Sequence, residues 1–419
     1  MLIKNPRFVL TPEELLENES IVVEGNKIRS IGGEDKTGKV IDASNHAVLP
    51  GLVNMHTHAS MNLFRGVSDD KELQPWLQED IWPLEENLDE EKSYWGAMHA
   101  FLEMVKSGTT CFNDMYFYMD RVAEAAEKIG LRGYFGHGMI DLDDPQKRNK
   151  ELKETRRIID RLNDGFSDRI KPAVTPHSAE TCSEELLLQA KKISEERGVP
   201  MHMHLAETQK EVEKVMKEKG KRPVEYLNDL DLLDENFIGA HGVHLNKEDI
   251  KTLSEAGASV VHNPCSNMKL ASGVSPVAEM LEKNVNVCLG TDGAASNNNL
   301  NMFEELKFAS LLQKINRSDP TTMPIQDALK LPWNNAAKAL NKDVGRIEEG
   351  ALADLILVDL DHVSMRPLHN LKSNLVYSGA EVDTSIIDGE VVMRGGELTE
   401  IDEGKVMEKA VEQAEELVD

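Results

Sequence analysis

The chain has 419 residues, enough for one large domain and a smaller one, with a core that needs no disulfide or metal staple. Lys plus Arg number 47 against 74 Asp plus Glu, a formal charge of −27, which removes the basic footprint that nucleic acid and anionic membranes require. Cys111, Cys182, Cys265 and Cys288 are scattered without a C-x-x-C pair, and no run approaches ~18 apolar residues, so a soluble cytoplasmic protein without a disulfide framework is expected.

In chain order, "SIVVEGNKIRSI" (20–31) sets a Gly-Asn turn between two alternating apolar runs, the pattern of a hairpin. Eight short apolar runs follow: "LVNMHTH" (52–58), "TTCFND" (109–114), "RGYFGHGM" (132–139), "IKPAVTPHS" (170–178), "PMHMHLAE" (200–207), "FIGAHGVHL" (237–245), "SVVHNP" (259–264) and "VNVCLGTD" (285–292). Helix-like segments such as "DRVAEAAEKIG" and "SEELLLQAKKISEERG" lie between them, several ending in Gly. This alternation predicts a (β/α)8 barrel over residues 50–349. Near the C-terminus "IIDGEVVMRGGEL" (386–398) repeats the hairpin style with Asp-Gly. Residues 1–49 and 350–419 are therefore expected to pair into one small composite β-sandwich domain.

Ionisable residues recur at the C-terminal ends of the eight runs: His56 and His58, His177, His204 and Glu207, His241, and Asp292. In a barrel those ends meet at one face, where several strands together supply an active site. His56 and His58, two apart in a strand, project to one side. With His204 and Asp292 they make an N/O donor set for one divalent metal, zinc first, with iron or manganese as chemical alternatives. "HMHLAET" offers two histidines; His204, nearer the strand end, is taken as the ligand and His202 as a packing or supporting residue.

Glu207 is placed to move a proton between metal-bound water and a leaving group. A metal that lowers the pKa of water towards ~7 makes hydrolytic attack on an unsaturated carbon the natural chemistry. His241 either orients that water or acts as a fourth imidazole ligand. A two-metal centre would need a bridging lysine at the end of the fourth run, which reads "TPHS", while Lys171 lies at its other end, so one metal is expected.

Together "PGLVNMHTH", "HMHLAET", "GAHGVHL", "HNPCSNMKLASG", "LGTDGAASNNNLNMFEELK" and "GRIEEGALADLILVD" resemble the amidohydrolase superfamily, from about residue 40 to the C-terminus. Within it they resemble the methylthioadenosine/S-adenosylhomocysteine deaminase branch, which acts on 5'-modified adenosines. "FNDMYFY" and "YWGAMHAFLEM" are similar to its archaeal 5'-deoxyadenosine deaminases. The resemblance implies a (β/α)8 fold, zinc ligands His56, His58, His204 and Asp292, and work by Glu207 and His241 on the water and the purine C6, with Asp292 sharing in proton transfer. It implies that Glu85 accepts hydrogen bonds from the ribose hydroxyls and that His177 contacts ribose or ring.

Trp76, in "LQPWLQEDIWP", is a candidate to close over the base, a core tryptophan being the other reading. Members with an amino-acid tail on the substrate can use two arginines. Here the first position is His137 and only Arg148 matches the second, which favours smaller, uncharged 5' groups over S-adenosylhomocysteine. A homo-oligomer, dimer or tetramer, is implied as well. Two alternatives stand beside this reading: an amidohydrolase acting on a free base or a triazine, and a non-catalytic ligand-binding barrel. Retention of His56, His58, His204, Glu207 and Asp292 argues against the last.

Overall fold

The computed structural model describes residues 1–33 and 38–418; residues 34–37 and 419, which fall within the expected composite β domain, lie outside the described residues. The apolar runs form parallel strands in two sheets. Leu52–Thr57, Thr109–Tyr116, Arg132–Met139 and Ile170–Pro172 lie side by side in that order. Met201–Leu205, Phe237–His241, Ser259–His262 and Asn286–Leu289 make the second sheet.

The fourth run, expected as one strand over 170–178, is split into Ile170–Pro172 and Thr175–Pro176. Two prolines explain the break, because neither donates a ladder hydrogen bond. Between them the backbone changes partners: Ala173 N–H donates to Phe135 O, and Val174 N–H to Pro200 O, both at 2.9 Å. Parallel bridges Val174–Met201 and Ser178–His204 carry the first sheet into the second. At the opposite edges Asp292 N–H donates to His56 O at 2.9 Å. Val53, Met55, Cys111, Tyr134, Ile238, Val261 and Cys288 from both sheets share one buried apolar cluster.

Helices separate the strands where the sequence supplies caps. The side chains of Asp89, Asp144, Ser183, Thr208 and Asn246 accept first-turn N–H groups. Among the described residues no helix is long and apolar enough to cross a membrane. All four cysteines are buried and unpaired.

The chain ends build two further sheets. Leu2–Lys4, Ile21–Glu24, Lys27–Ile31 and Val40–Asp42 form one. In the other, His46–Pro50 pairs with Leu355–Asp359, which pairs with Val382–Ile387 and onward to Glu390–Arg394. Ile3, Ile21, Ile28, Val48, Leu355 and Ile386 fill the space between the sheets.

A buried ion pair joins this part to the parallel strands. Arg132, opening the third of them, donates through Nε to Asp354 Oδ2 at 2.7 Å and through Nη2 to Asp388 Oδ1 at 2.8 Å. The last helix, Glu403–Val418, leaves the β part and lies along Glu90–Lys106. Lys106 Nζ donates to Glu403 Oε2 at 2.8 Å, and Asn87 Nδ2 to Leu417 O at 3.3 Å.

Candidate metal centre and substrate cavity

The first parallel strand carries a bulge where it reaches the site: Asn54 opposes Phe112 and Thr57 opposes Asp114, three steps against two. Such an extra residue re-aims the side chains that follow it. A buried 3-10 turn, Ala59–Phe64, follows His58. It lies so close to Gly96 of the helix Glu90–Lys106 that a Cβ there would stand 2.7 Å from Ser60 O.

Four imidazoles converge, each tied by Nδ1. His58 donates to Met115 O at 2.6 Å, His204 to His177 O at 3.0 Å and His241 to Asn267 Oδ1 at 2.9 Å. His56 Nδ1 instead meets another ring, His202 Nε2, at 3.0 Å. Their ligand atoms crowd together: those of His56, His58 and His204 lie within 4.8 Å of one another, as do those of His56, His241 and Asp292. Asp292 Oδ1 is 3.2 Å from His58 Nε2 and 3.5 Å from His56 Nε2. Its Oδ2 accepts from Ser266 Oγ at 2.6 Å and Ser296 Oγ at 2.8 Å. Ala206, His241 and Asp292, at or just beyond the ends of the strands Met201–Leu205, Phe237–His241 and Asn286–Leu289, all take the left-handed backbone that non-glycine residues rarely adopt.

Burial lowers the His56 imidazole to about 3 and holds His204 well below its usual value. Burial pulls on His58 as well, but Asp292 first, then Asp114 and the Met115 carbonyl, raise it to about 9. Burial opposes ionisation of Asp292, yet His56 and His58 beside it keep its carboxyl well below the ordinary range. Neutral His56 and His204 beside an ionised Asp292 are donors a divalent cation needs, and the proton that Asp292 draws onto His58 is one a bound cation would displace. The fit has a direct mark: Nε2 of His56 is buried with no hydrogen-bond partner, a costly arrangement unless something coordinates it.

His58, His204, His241 and Asp292 line a cavity of about 240 Å³ together with Glu207, Glu85, Tyr116, His177 and Trp76. Glu207 Oε2 lies 3.8 Å from His241 Nε2. Its carboxyl is pushed up by burial. Buried Glu211 accepts the backbone N–H groups of Ala206 at 3.0 Å and Glu207 at 2.7 Å, fixing the loop. Tyr116 O–H donates to Glu85 Oε1 at 2.5 Å, and burial raises the Glu85 carboxyl too. His177 is lowered to about 4 by burial, its Nδ1 2.9 Å from Thr181 Oγ1.

Trp76 is buried and opens a π-helical turn, Trp76–Ile81, in a strap that also brings Leu73, Leu77 and Trp82 to the cavity. Turns of that kind favour functional positions. Ion pairs Lys269–Asp69, at 2.8 Å, and Lys210–Glu72 hold the strap across two sides.

Arg148 departs from its expected place beside substrate. Its Nε donates to Asp141 Oδ2 at 2.9 Å and Ser183 Oγ at 3.0 Å, because Asp141 is buried and needs that partner. His137 turns to Glu151, Nε2 to Oε2 2.5 Å. Neither lines the cavity. Sequence reasoning missed Tyr116, Glu211 and Asn113. For Glu211 a signal existed, the Thr208-to-Glu211 spacing of a helix start, and Thr208 does accept the Glu211 N–H at 3.1 Å.

Comparison with known proteins adds three observations. The model of the amidohydrolase family matches residues 47–392. The chain is 47% identical over 423 aligned residues to a 5'-deoxyadenosine deaminase of Methanothermobacter thermautotrophicus, covering 99% of both, and 45% identical to one of Methanopyrus kandleri, covering 98% of this chain and 97% of that one. A crystal structure of an adenosine deaminase from Xanthomonas campestris with bound zinc superposes with a TM-score of 0.93 at 31% identity, covering 100% of this chain and 98% of that one.

Proposed function

The chain belongs to the amidohydrolase family, and from that premise we propose that it deaminates 5'-modified adenosines, with small 5' groups such as that of 5'-deoxyadenosine preferred. Water replaces the exocyclic amine at C6, giving the inosine analogue and ammonia. In this reading the two parallel sheets close into one (β/α)8 barrel over residues 50–349. Residues 1–49 and 350–419 make the composite β-sandwich domain, whose last helix packs back against Glu90–Lys106.

His56, His58, His204 and Asp292 hold one divalent cation, zinc by the character of the donors. Such a cation, when bound, makes water a nucleophile at neutral pH. Glu207 takes the proton from the water and returns it to the departing amine; a carboxyl raised by burial is suited to both halves of that exchange. His241, its Nδ1–H fixed on Asn267, presents Nε2 to the oxygen adding at C6. Glu85, held by Tyr116, accepts the ribose hydroxyls, His177 contacts ribose or ring, and Trp76 with its strap keeps bulk water off the base. A homo-oligomer and a cytoplasmic setting belong to the same reading.

One observation carries the proposal: the imidazole–carboxylate centre, Glu207 and the Glu85–Tyr116 pair share a single cavity. The test is initial rates of adenine-to-hypoxanthine conversion by ultraviolet absorbance, with 5'-deoxyadenosine, methylthioadenosine, S-adenosylhomocysteine, adenosine and adenine on metal-analysed protein. Fast turnover of the first two is expected, and Glu85→Gln should weaken every ribose-bearing substrate. Metal-loaded protein inert across the panel would overturn the proposal.

A further inference from the structure

His58 and His204 rest their Nδ1 on peptide oxygens, which only accept, so their N–H direction is settled, and His241 rests its Nδ1 on the amide oxygen of Asn267. His56 alone rests on another ring. Its Nδ1 is 3.0 Å from His202 Nε2, and His202 Nδ1 is in turn 2.7 Å from Asn113 Nδ2. His56, His202 and Asn113 are all fully buried. Asn113 Nδ2 also donates to Met55 O at 3.2 Å, whereas Asn113 Oδ1 has no partner, and neither has His56 Nε2.

A neutral imidazole carries one N–H, so hydrogen-bond direction along such a chain is all-or-none. With Asn113 Nδ2 donating to His202 Nδ1, the His202 hydrogen sits on Nε2 and goes to His56. The hydrogen of His56 then sits on its own Nε2, the atom facing the centre, where an N–H blocks coordination. To offer a lone pair there the chain must run the other way: His56 Nδ1–H to His202 Nε2, and His202 Nδ1–H to an acceptor on residue 113. The unpartnered Oδ1 of Asn113 is that acceptor, brought round by a half-turn of the amide that gives up the longer Nδ2–Met55 O bond of 3.2 Å.

We propose that His202 and Asn113 are positioning residues that set the metal affinity of the centre by fixing which nitrogen of His56 carries the hydrogen. The inference rests on the reading of the centre as a metal site and is independent of the substrate.

The experiment measures Zn2+ affinity of chelator-stripped protein by competition with a chromogenic chelator, alongside the unfolding midpoint of each stripped variant. His202→Leu and Asn113→Leu should bind about ten- to hundredfold more weakly. His202→Gln, whose Oε1 can accept from His56 Nδ1–H, should recover most of the loss. Asn113→Asp, which can only accept from His202, should bind more tightly than wild type, and the gain should vanish when His202→Leu is added; a simple charge effect would persist in that double variant. Unchanged affinity in the Leu variants, Gln no better than Leu, or Asn113→Asp weaker than wild type overturns the proposal. Should the Leu variants fail to fold, Asn113→Asp and His202→Gln still decide. Wild-type protein that binds no zinc overturns the metal reading with it.

Discussion

Glu207 and Glu305 are both buried carboxyls raised by desolvation, and they differ in what surrounds them. Glu207 opens onto the cavity beside His241. Glu207→Gln keeps the volume and removes the titrating group, so bound metal should persist while turnover falls by about 10²–10⁴-fold; metal content and rate on one preparation check it. Glu305 accepts Asn297 Nδ2 at 2.6 Å and the Cys265 N–H at 3.2 Å, joining the two short helices, Pro264–Lys269 and Ala294–Asn297, whose serines hold Asp292. Burial lifts it from the ordinary 4.5 to about 8. The folded chain therefore keeps a proton there that the unfolded chain releases above 4.5, and stability should fall as pH rises from about 4.5 to about 8. The slope is up to about 1.4 kcal/mol per pH unit. Glu305→Gln should flatten that part of the profile in urea unfolding at several pH values; an unchanged slope would count against it.

At the scale of elements, the turn Ala59–Phe64 and the helix Glu90–Lys106 meet at Gly96, which has no side chain to hold them apart. Gly96→Ala should cost about 1–3 kcal/mol through overpacking, outweighing the better helix propensity of Ala, and should shift the end of the His56–His58 segment. A thermal midpoint equal to wild type would refute the close contact. Much of this level was legible beforehand. Apolar runs bounded by Gly and the two-residue spacing of His56 and His58 follow from strand periodicity, which local sequence displays. The split at Pro172 and Pro176 was legible in principle, since both prolines stand in the run. The bulge between Asn54 and Thr57 was not, because it arises only against the partner strand. Arg148 was misplaced for a similar reason: its choice of Asp141 over the cavity depends on where the fold buries that carboxylate. Asn113, His202 and His56 become neighbours only when Leu52–Thr57 pairs with Thr109–Tyr116 and Met201–Leu205 of the other sheet comes to face them.

Across the whole molecule, the parallel strands and the sheets from the chain ends are joined through Arg132, Asp354 and Asp388. Asp354→Asn leaves a buried guanidinium with only Asp388 for charge, and a loss of about 3 kcal/mol is expected in equilibrium unfolding. A loss below about 1 kcal/mol would mean that Asp388 alone suffices.

The pairing of Pro50 with Leu355 has a consequence in time. The separation is 355 − 50 = 305 residues, which a ribosome covers in roughly 15 to 60 s at ~5–20 residues per second. For that interval the strand His46–Pro50, immediately ahead of the first site histidine, waits with an open edge for a partner not yet made. The helix that braces Glu90–Lys106 emerges later still. The nascent chain thus carries every site residue, Asp292 included, before the strand that covers this edge has emerged, and during that window it is a natural client for chaperones that shield unpaired edges.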